Sequence, residues 1–363
     1  MNWIDKIETL LIAVLVLSAC TDEQETHRQV SLMLAPYGQP GVEVATRTLV
    51  SGYVKYTDLY PQPQMQQSSI GIYLVEKLNN TNTVGPLKAF TYNSTKGYWY
   101  SSVAIEENHP YEIYGFHPAT GVSNNSSLDY TTPTAPVLTL PTLNACSATD
   151  VCVVVGVKRA LNKTQAIEDS GIQLGDFSYT ASENDNYVYL LMDHLFTCVN
   201  FEFKINDRYD ELRDIRIRKV EITPETAKNV QVVVSLSPNT TGDNPITNVV
   251  YNETVLTDPA VPTVIYDKGD DGGRLNPTTA LVIPSYVYVA SDGSTSSYTL
   301  TTTYDVIDNA DKVVRSARVA NNKITLPNTL TRGKKYTFES VVAPTYLYQL
   351  SDNDLNNPVL TIN

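Results

Sequence analysis

The sequence predicts an all-β protein with two tandem β-sandwich domains behind an export signal. Short runs rich in Val, Thr and Tyr recur along its 363 residues, and Pro, Gly and Asn separate them, which is typical of many short strands. No long helical periodicity follows residue 20, so helices are not expected to build the core. The length suggests about two domains, and we place them at residues 48–192 and 193–363.

Residues 1–19 are predicted to be a lipoprotein signal peptide. The run Leu10–Leu17 is apolar throughout. It is shorter than the roughly 20 residues of a membrane-spanning helix and matches the roughly 7–15 apolar residues of a signal peptide. The junction Leu17–Cys20 (LSAC) resembles a bacterial lipobox, in which the cysteine thiol is lipidated and the chain is cut before it. We expect lipidation at Cys20, the alternative being an ordinary secretory signal with an unrelated cysteine.

The segment 20–47 is predicted to be a polar leash or propeptide. Asp22, Glu23 and Glu25 follow the lipobox directly, and this acidic run resembles the surface-export signal of lipoproteins in the Bacteroidetes. Pro and Gly residues interrupt the segment up to residue 41, and strand-forming residues begin at Ala45.

The predicted strands follow from their apolar patterns. Val151–Val157 is a continuous apolar run and predicts a central buried strand, whereas Tyr298–Val306 alternates and predicts a half-buried one. A short helix is predicted over Arg159–Glu168. The other strand candidates are short apolar runs between turn signals: Ile70–Glu76, Lys88–Tyr92, Tyr98–Ile105, Tyr111–Phe116, Tyr187–Met192, Leu195–Ile205, Leu212–Ile222, Val230–Leu236, Val249–Leu256, Val261–Tyr266, Val313–Val319, Ile324–Leu326, Tyr336–Val342 and Leu355–Asn363.

One of these strands contains a register change. Ile215 and Ile217 share one face, but Val220 and Ile222 fall on the opposite parity. One extra residue near Arg218-Lys219 would return all four side chains to a single buried face. The sequence therefore predicts a β-bulge at that point.

The strand after residue 194 is predicted to have one apolar and one polar face. The apolar face holds these residues: Leu195, Val199, Phe201, Phe203 and Ile205. Cys198 falls on the polar face, with Asn200, Glu202 and Lys204.

Three cysteines remain after the lipobox: Cys146, Cys152 and Cys198. An odd number in an exported chain leaves at least one thiol free. Cys146 and Cys152 flank a hairpin-sized segment, so either a local disulfide joins them or both thiols are free. Their spacing resembles no metal site, and no His lies near them in the sequence.

Two loops resemble metal-binding motifs without completing them. Asp292–Ser296 (DGSTS) matches the D-x-S-x-S motif of adhesion domains, but its context is an antiparallel hairpin, and turn chemistry explains it. Asp267–Gly272 (DKGDDG) is similar to a calcium loop, but Thr278 stands where a bidentate Glu is needed. The histidines show no ligand spacing: His27, His109, His117 and His194. We therefore predict no metal site.

The sequence gives no sign of an enzyme. It contains neither a G-x-S-x-G nucleophile motif nor a Gly-rich phosphate loop, so no catalytic residue and no cofactor are predicted. The net charge of −13 argues against a nucleic-acid partner, because nucleic acids bind clustered Lys and Arg. The aromatic cluster Tyr98–Tyr100 (YWY) is predicted to pack across strands, the alternative being a sugar-stacking surface.

Several features in a fixed order resemble a known family. These are the lipobox, the leash, Arg47 before a first strand, and the segments IGIYLV (70–75), YEIYGFHP (111–118), DHLFTCVNFEFKI (193–205) and GKKYTF (333–338). Their order is similar to that of the fimbrillin family of Bacteroidales, which comprises surface pilins and related lipoproteins. The resemblance implies two transthyretin-like β-sandwich domains on the outer membrane surface or in a fimbrium.

The resemblance also implies a route of assembly. A trypsin-like surface protease would cut after Arg47, which removes a strand, and a strand from another subunit would fill the groove. Arg28 is the poorer candidate for cleavage, since it lies in the leash with no predicted strand behind it. The candidate donor strand consists of Val359, Leu360, Thr361 and Ile362. Expected partners are other fimbrial subunits, the outer membrane through the lipid, and the protease.

The donor strand departs from what a long stalk would need. It is short, and Pro358 before it cannot donate to a ladder. An accessory, tip or anchor subunit is therefore as well supported as a stalk subunit. The alternative function is a monomeric surface lipoprotein that binds a glycan or a host protein.

Overall fold

The structure is a computed structural model. It describes residues 29–36, 43–45, 49–50, 69–78, 81–93, 98–106, 110–119, 125–159, 176–178, 187–238, 245–290, 296–326, 330–343 and 359–362. Several sequence features lie outside these residues: Cys20, Arg28, Arg47, His27, His109, residues 292–295 of the D-x-S-x-S motif, and residues 160–168 of the predicted helix. The side chains of Tyr98–Tyr100 also lie outside the description.

Regular structure in the described part is almost entirely β, which confirms the predicted all-β class. One short α-helix, α1 (Asp207–Asp210), starts after its N-cap Asn206. No helix among the described residues is long and apolar enough to cross a membrane. The strands are, in chain order, β1 (Gln29–Pro36), β2 (Glu43–Ala45), β3 (Leu49–Val50), β4 (Ser69–Leu78), β5 (Thr81–Val84), β6 (Lys88–Asn93), β7 (Tyr98–Glu106), β8 (Pro110–His117), β9 (Ser127–Asp129), β10 (Val137–Asn144), β11 (Cys146–Ser147), β12 (Cys152–Arg159), β13 (Asp176–Ser178), β14 (Tyr187–His194), β15 (Thr197–Ile205), β16 (Asp214–Pro224), β17 (Lys228–Leu236), β18 (Ile246–Val255), β19 (Thr263–Asp267), β20 (Gly273–Arg274), β21 (Leu281–Val282), β22 (Val287–Val289), β23 (Ser296–Ile307), β24 (Val313–Leu326), β25 (Lys334–Ala343) and β26 (Val359–Ile362).

The first sheet closes on itself. Its order is β13-β8-β12-β14-β1-β7-β6-β4-β5, and β8 also pairs with β4. This extra pairing joins seven of the nine strands in a circuit, of which β1 is one member. The continuous apolar run at residues 151–157 forms β12 between β8 and β14, with Val151–Val155 buried, as the sequence predicts.

The first hydrophobic core joins this sheet to a four-stranded second sheet with the order β18-β17-β10-β9. Apolar alternation in β17 directs one face of that strand inward. Fully buried members of the core come from both sheets: Ile70, Phe90, Ile113, Phe116, Val153, Leu138, Val230, Val232 and Val234.

A second core lies between two further sheets. The third sheet has the order β11-β22-β15-β25-β2-β3, with β21 on β15 and β26 on β25. The fourth has the order β19-β16-β23-β24, with β20 on β16. Buried members include Val199, Phe201, Phe203, Ile215, Ile217, Val220, Ile222, Leu300 and Val306.

The chain passes between the two cores more than once. The hairpin of β17 and β18 follows residue 193 but packs in the first core, and β11 precedes that residue but joins the third sheet. The division into domains at residue 193 and their transthyretin-like type stay predictions.

The predicted bulge in β16 is confirmed. The pairing with β23 shifts register between Ile217 and Lys219, so Arg218 is the extra residue. Ile215, Ile217, Val220 and Ile222 are all buried in the second core, as the change of parity requires.

Two expectations from the sequence are wrong. The irregular conformation predicted for residues 21–45 does not hold for the described residues among them, which form β1 and β2, and β1 starts directly after Arg28; the bounds 20–47 of the leash or propeptide stay a prediction. The residues predicted to share one apolar face after residue 194 are not all buried in one core either. Leu195 and Cys198 are buried in the first core while Val199 is buried in the second, because this stretch lies between the two cores.

Candidate functional site

The strand β1 is an internal strand of the first sheet. It pairs antiparallel with β7 from Gln29 to Leu34 and parallel with β14 from Met33 to Pro36. Both of its edges are therefore occupied by main-chain ladders over part of its length. Loss of β1 would open the circuit and leave the facing edges of β7 and β14 without a partner.

The predicted cleavage position lies just downstream of β1. Arg47 is outside the described residues, but the strands on either side of it are described. β2 precedes it and pairs with both β25 and β3, and β3 follows it. A cut after Arg47 would separate β1 and β2 from the rest of the chain, whereas a cut after Arg28 would leave both attached.

The candidate donor strand β26 is paired within its own chain. It runs antiparallel to β25, from Ser340 opposite Ile362 to Ala343 opposite Val359. The other edge of β25 pairs in parallel with β15. The strand is thus an edge strand of the third sheet, and it has four residues against the eight of β1.

Polar side chains converge where three strands of the first sheet begin or end. Cys152 opens β12, and the ladder places it opposite His117, the last residue of β8, and His194, the last residue of β14. Asp150 lies two residues before Cys152, with Val151 between them. All four side chains are buried, with residue exposures of 0% for Asp150 and Cys152 and 1% for His117 and His194.

The contacts in this cluster centre on one nitrogen of His194. Its Nδ1 lies 2.6 Å from Oδ2 of Asp150 and 3.6 Å from Sγ of Cys152. Nδ1 of His117 lies 3.1 Å from the backbone oxygen of Asp150. Spacing along the chain predicted no His beside Cys152, and the structure corrects that expectation, because His117 and His194 both lie opposite Cys152 in the first sheet.

The two histidines differ in their electrostatics. Burial lowers the pKa of His117 to about 4, despite its contact with the Asp150 backbone. Burial also opposes charge on His194, but the Asp150 carboxylate outweighs it and raises the pKa of that imidazole. An adjacent carboxylate favours the charged imidazole, whereas a backbone carbonyl compensates for burial less well.

The cluster does not have the arrangement of a nucleophilic relay. A relay uses the two ring nitrogens of His separately, one toward the nucleophile and one toward the carboxylate. Here both contacts use Nδ1 of His194, and neither Cys152 nor Asp150 is accessible to a substrate.

The disulfide expected as one alternative between Cys146 and Cys152 is not formed. Cys146, Cys152 and Cys198 are buried thiols that form no disulfide. Cys146 packs in the second core and Cys152 in the first, so their side chains occupy different cores. Burial raises the pKa of the Cys146 thiol to about 12, which makes this thiol a poor nucleophile.

The acidic loop Asp267–Gly272 packs on the bulge of β16. The Lys268 amide donates to the Arg218 carbonyl at 2.9 Å, and Arg218 forms an ion pair with Asp270 at 2.6 Å. A Cβ atom on Gly272 would lie 1.9 Å from the carbonyl oxygen of Ile217. The second glycine of the motif is therefore needed for close backbone packing.

We expect Gly272→Ala to lower the free energy of unfolding by at least about 2 kcal/mol, because overpacking costs roughly 1–3 kcal/mol and the contact here is with backbone. Urea unfolding measures the change. Gly269→Asn is the matched control, since Gly269 has φ +52 with nothing within 4 Å of an added Cβ, and Asn tolerates this conformation. Equal destabilisation by both substitutions would contradict the packing explanation.

Comparison with solved structures finds fimbrial and cell adhesion proteins. The chain is similar to a putative cell adhesion protein from Bacteroides fragilis, with TM-score 0.40, 11% identity, and coverage of 93% of this chain and 97% of that one. It is also similar to a fimbrial protein from Bacteroides vulgatus, with TM-score 0.34, 12% identity, and coverage of 93% and 98%. The fimbrial anchor protein Mfa2 from Porphyromonas gingivalis aligns with TM-score 0.29, 8% identity, and coverage of 93% and 98%.

No protein-family profile and no curated protein matches this sequence.

Proposed function

We propose that this chain is a structural or accessory subunit of a surface fimbrium that contributes to adhesion and assembles by β-strand exchange. The observation that carries the proposal is the position of β1, an internal strand of the closed first sheet that lies upstream of Arg47. The resemblance of the sequence to fimbrillins supports the same function. No catalytic role is proposed.

The exchange would begin with a cut after Arg47 by a trypsin-like protease. After the cut, no covalent bond joins β1 to the rest of the fold, and main-chain ladders hold its peptide in place, those of β1 to β7 and β14 and those of β2 to β25 and β3. A strand of another subunit can then replace β1, since main-chain hydrogen bonds provide affinity in such strand addition. Lipidation at Cys20 would deliver the uncut chain to the outer membrane, and the cut would separate the folded body from that anchor.

The length of β26 bears on the place of the chain in a fimbrium. Its four residues could replace at most half of the eight-residue β1. It also pairs with β25 of its own chain, and those hydrogen bonds must break before it can be donated. These features favour an accessory, tip or anchor subunit, which receives a strand more readily than it donates one.

The decisive test is the N-terminus of the protein recovered from the cell surface, read by mass spectrometry beside its oligomeric state. We expect Thr48 as the new N-terminus, and Arg47→Ala should keep the chain intact and abolish oligomers. Arg28→Ala is the matched control and should leave both results unchanged, because a cut there does not release β1. Oligomers that retain an intact segment from Cys20 to Arg47 would overturn strand exchange.

A second candidate function is a monomeric surface adhesin or glycan-binding lipoprotein. The observation in its favour is that, among the described strands, β1 and β26 both pair within their own chain, so neither needs a second subunit to join its sheet. It predicts a monomer that starts at acylated Cys20 and binds on a glycan array. A blank array for that monomer would count against it.

A further inference from the structure

We propose that Asp150, Cys152 and His194 form a buried binding site for one divalent transition metal ion of the zinc type. Each residue offers one ligand atom, and the three atoms lie within 4.8 Å of one another. They come from the segment before β12, the first residue of that strand and the last residue of β14. No part of the fimbrial proposal depends on this site.

The spacing of two of the ligand atoms fits tetrahedral zinc. Typical bond lengths of about 2.3 Å to sulfur and about 2.0 Å to imidazole nitrogen place the two atoms roughly 3.5 Å apart. The distance from Cys152 Sγ to His194 Nδ1 is 3.6 Å. The Asp150 Oδ2 contact of 2.6 Å to the same nitrogen is the length of a proton-mediated contact, so the carboxylate would move outward by several tenths of an ångström as the ion enters.

Charge balance favours a divalent ion at this point. A carboxylate, a thiolate and a neutral imidazole carry two negative charges, which a divalent cation neutralises within a fully buried site. Buried charged groups are costly unless they are paired or coordinate a metal.

The donor types select the class of metal. Thiolate and imidazole ligands suit zinc and related transition metals, whereas calcium and magnesium prefer oxygen ligands. Cys198 and Tyr288 lie opposite each other on β15 and β22 and are both buried. The group whose ligand atoms lie within 4.8 Å of one another consists of Asp150, Cys152 and His194, so these three are the proposed protein ligands.

The site also lies at a structural junction. The Leu195 amide donates to the Val151 carbonyl at 2.7 Å, just where the chain leaves β14 for the strand that is shared between the two cores. A metal held here would tie the start of β12 to the end of β14 at that crossing. Because the ligands are buried, the ion would bind as the chain folds, and its binding would stabilise the folded state.

The test uses the full mature chain, unfolded in the presence of chelator and reductant and refolded with or without zinc. We expect about one zinc ion per chain by mass spectrometry of the metal, and a higher melting temperature in the zinc-refolded protein. Refolding with cobalt should give a thiolate-to-cobalt charge-transfer band. No bound metal, no change in melting temperature and no cobalt band in the wild-type chain would overturn the proposal.

The assignment to these residues is tested by matched cysteine variants. Cys152→Ser should lose the cobalt band and the bound zinc, whereas Cys146→Ser, at a buried free thiol of the second core, should keep both. Equal metal binding by the two variants would place the site elsewhere and overturn the assignment. If Cys152→Ser does not fold, the cobalt band of the wild-type chain alone decides whether a thiolate binds metal, and Asp150→Asn tests the oxygen ligand.

Discussion

Replacement of Asp305 by Ala is expected to lower the free energy of unfolding by about 3 kcal/mol. Asp305 has an exposure of 0%, and removal of one partner of a buried ion pair costs roughly 3–5 kcal/mol. Arg216 and Arg218, whose side chains are 21% and 22% exposed, retain partial access to water after the change. The lower end of the range therefore applies.

The contacts of Asp305 explain why this carboxylate is central to the fourth sheet. It accepts from Nε of Arg216 at 3.0 Å and from Nη1 of Arg218 at 3.2 Å. On the neighbouring strand it accepts from the Ala317 amide at 2.9 Å and from the Ser316 hydroxyl at 3.2 Å. Ala317 has φ 49, an uncommon conformation for a residue with a side chain, and the carboxylate stabilises it. One side chain thus links β16, β23 and β24.

Asp270→Ala is the matched control for this prediction. Asp270 pairs with the same Arg218, but its side chain is 79% exposed, and exposed ion pairs contribute between about 0 and 1 kcal/mol. Urea unfolding of the three proteins gives both differences. If Asp305→Ala and Asp270→Ala each change the free energy of unfolding by less than about 1 kcal/mol, the buried network around Asp305 does not stabilise the sheet.

The contribution of Asp305 should also depend on pH in a definite direction. Burial opposes ionisation, but the Ala317 amide, Arg216 and Arg218 outweigh it and lower the pKa of this carboxyl. The unfolded chain therefore takes up a proton at Asp305 before the folded chain does. The stability is fully present above about pH 4, the ordinary range of Asp, and is lost as the pH falls through the lowered folded value. The difference between wild type and Asp305→Asn should shrink over that interval.

The odd or even positions of apolar residues predict strand structure correctly where each strand has one buried face. They predicted the bulge at Arg218, because Ile217 and Val220 can share a core only if one residue is extra. The same reasoning missed β1, although Val30, Leu32 and Leu34 alternate there. Pro36, Gly38, Pro40 and Gly41 follow this alternation directly and are typical of loops, which is why the sequence pattern favours a leash there.

The metal-ligating cluster could not be read from spacing along the chain. Cys152 and His194 are far apart in sequence and become neighbours only through the register of β12 against β14. A local signal was nonetheless present. His117 directly follows the predicted strand Tyr111–Phe116, His194 falls between the predicted strands that end at Met192 and begin at Leu195, and Cys152 is the second residue of the continuous apolar run. Antiparallel pairing brings the end of one strand beside the start of its neighbour.

The presence of the strand β1 upstream of Arg47 gives the proposed cut a structural consequence. A structureless leash could be cut without effect on the fold, whereas removal of an internal strand breaks a closed sheet. The cleavage position matters for the same reason, since Arg28 precedes β1 and Arg47 follows it. The proposed cut is therefore at once a release from the lipid and the opening of an acceptor groove.

The second large effect is predicted for Glu112. This residue lies in β8, the strand whose pairing with β4 closes the first sheet. Glu112 is buried, with an exposure of only 5%. Its carboxylate accepts from the Tyr114 hydroxyl at 2.6 Å and the Tyr130 hydroxyl at 2.7 Å, and from Lys77 Nζ at 2.9 Å. Burial and the adjacent Glu112 raise the pKa of Tyr114, so this phenol donates its hydrogen bond at every physiological pH.

Glu112→Ala is expected to lower the free energy of unfolding by about 3 kcal/mol, because it leaves two buried phenols without this acceptor, and each such loss costs roughly 1–3 kcal/mol. Lys77→Ala is the control. The Lys77 side chain is 31% exposed, so water replaces much of its contact, and a change below about 1 kcal/mol is expected. Urea unfolding distinguishes the two. A similar loss of unfolding free energy in both variants would contradict this prediction. It would mean that Glu112 stabilises the fold through its contact with Lys77 and not through the two phenols.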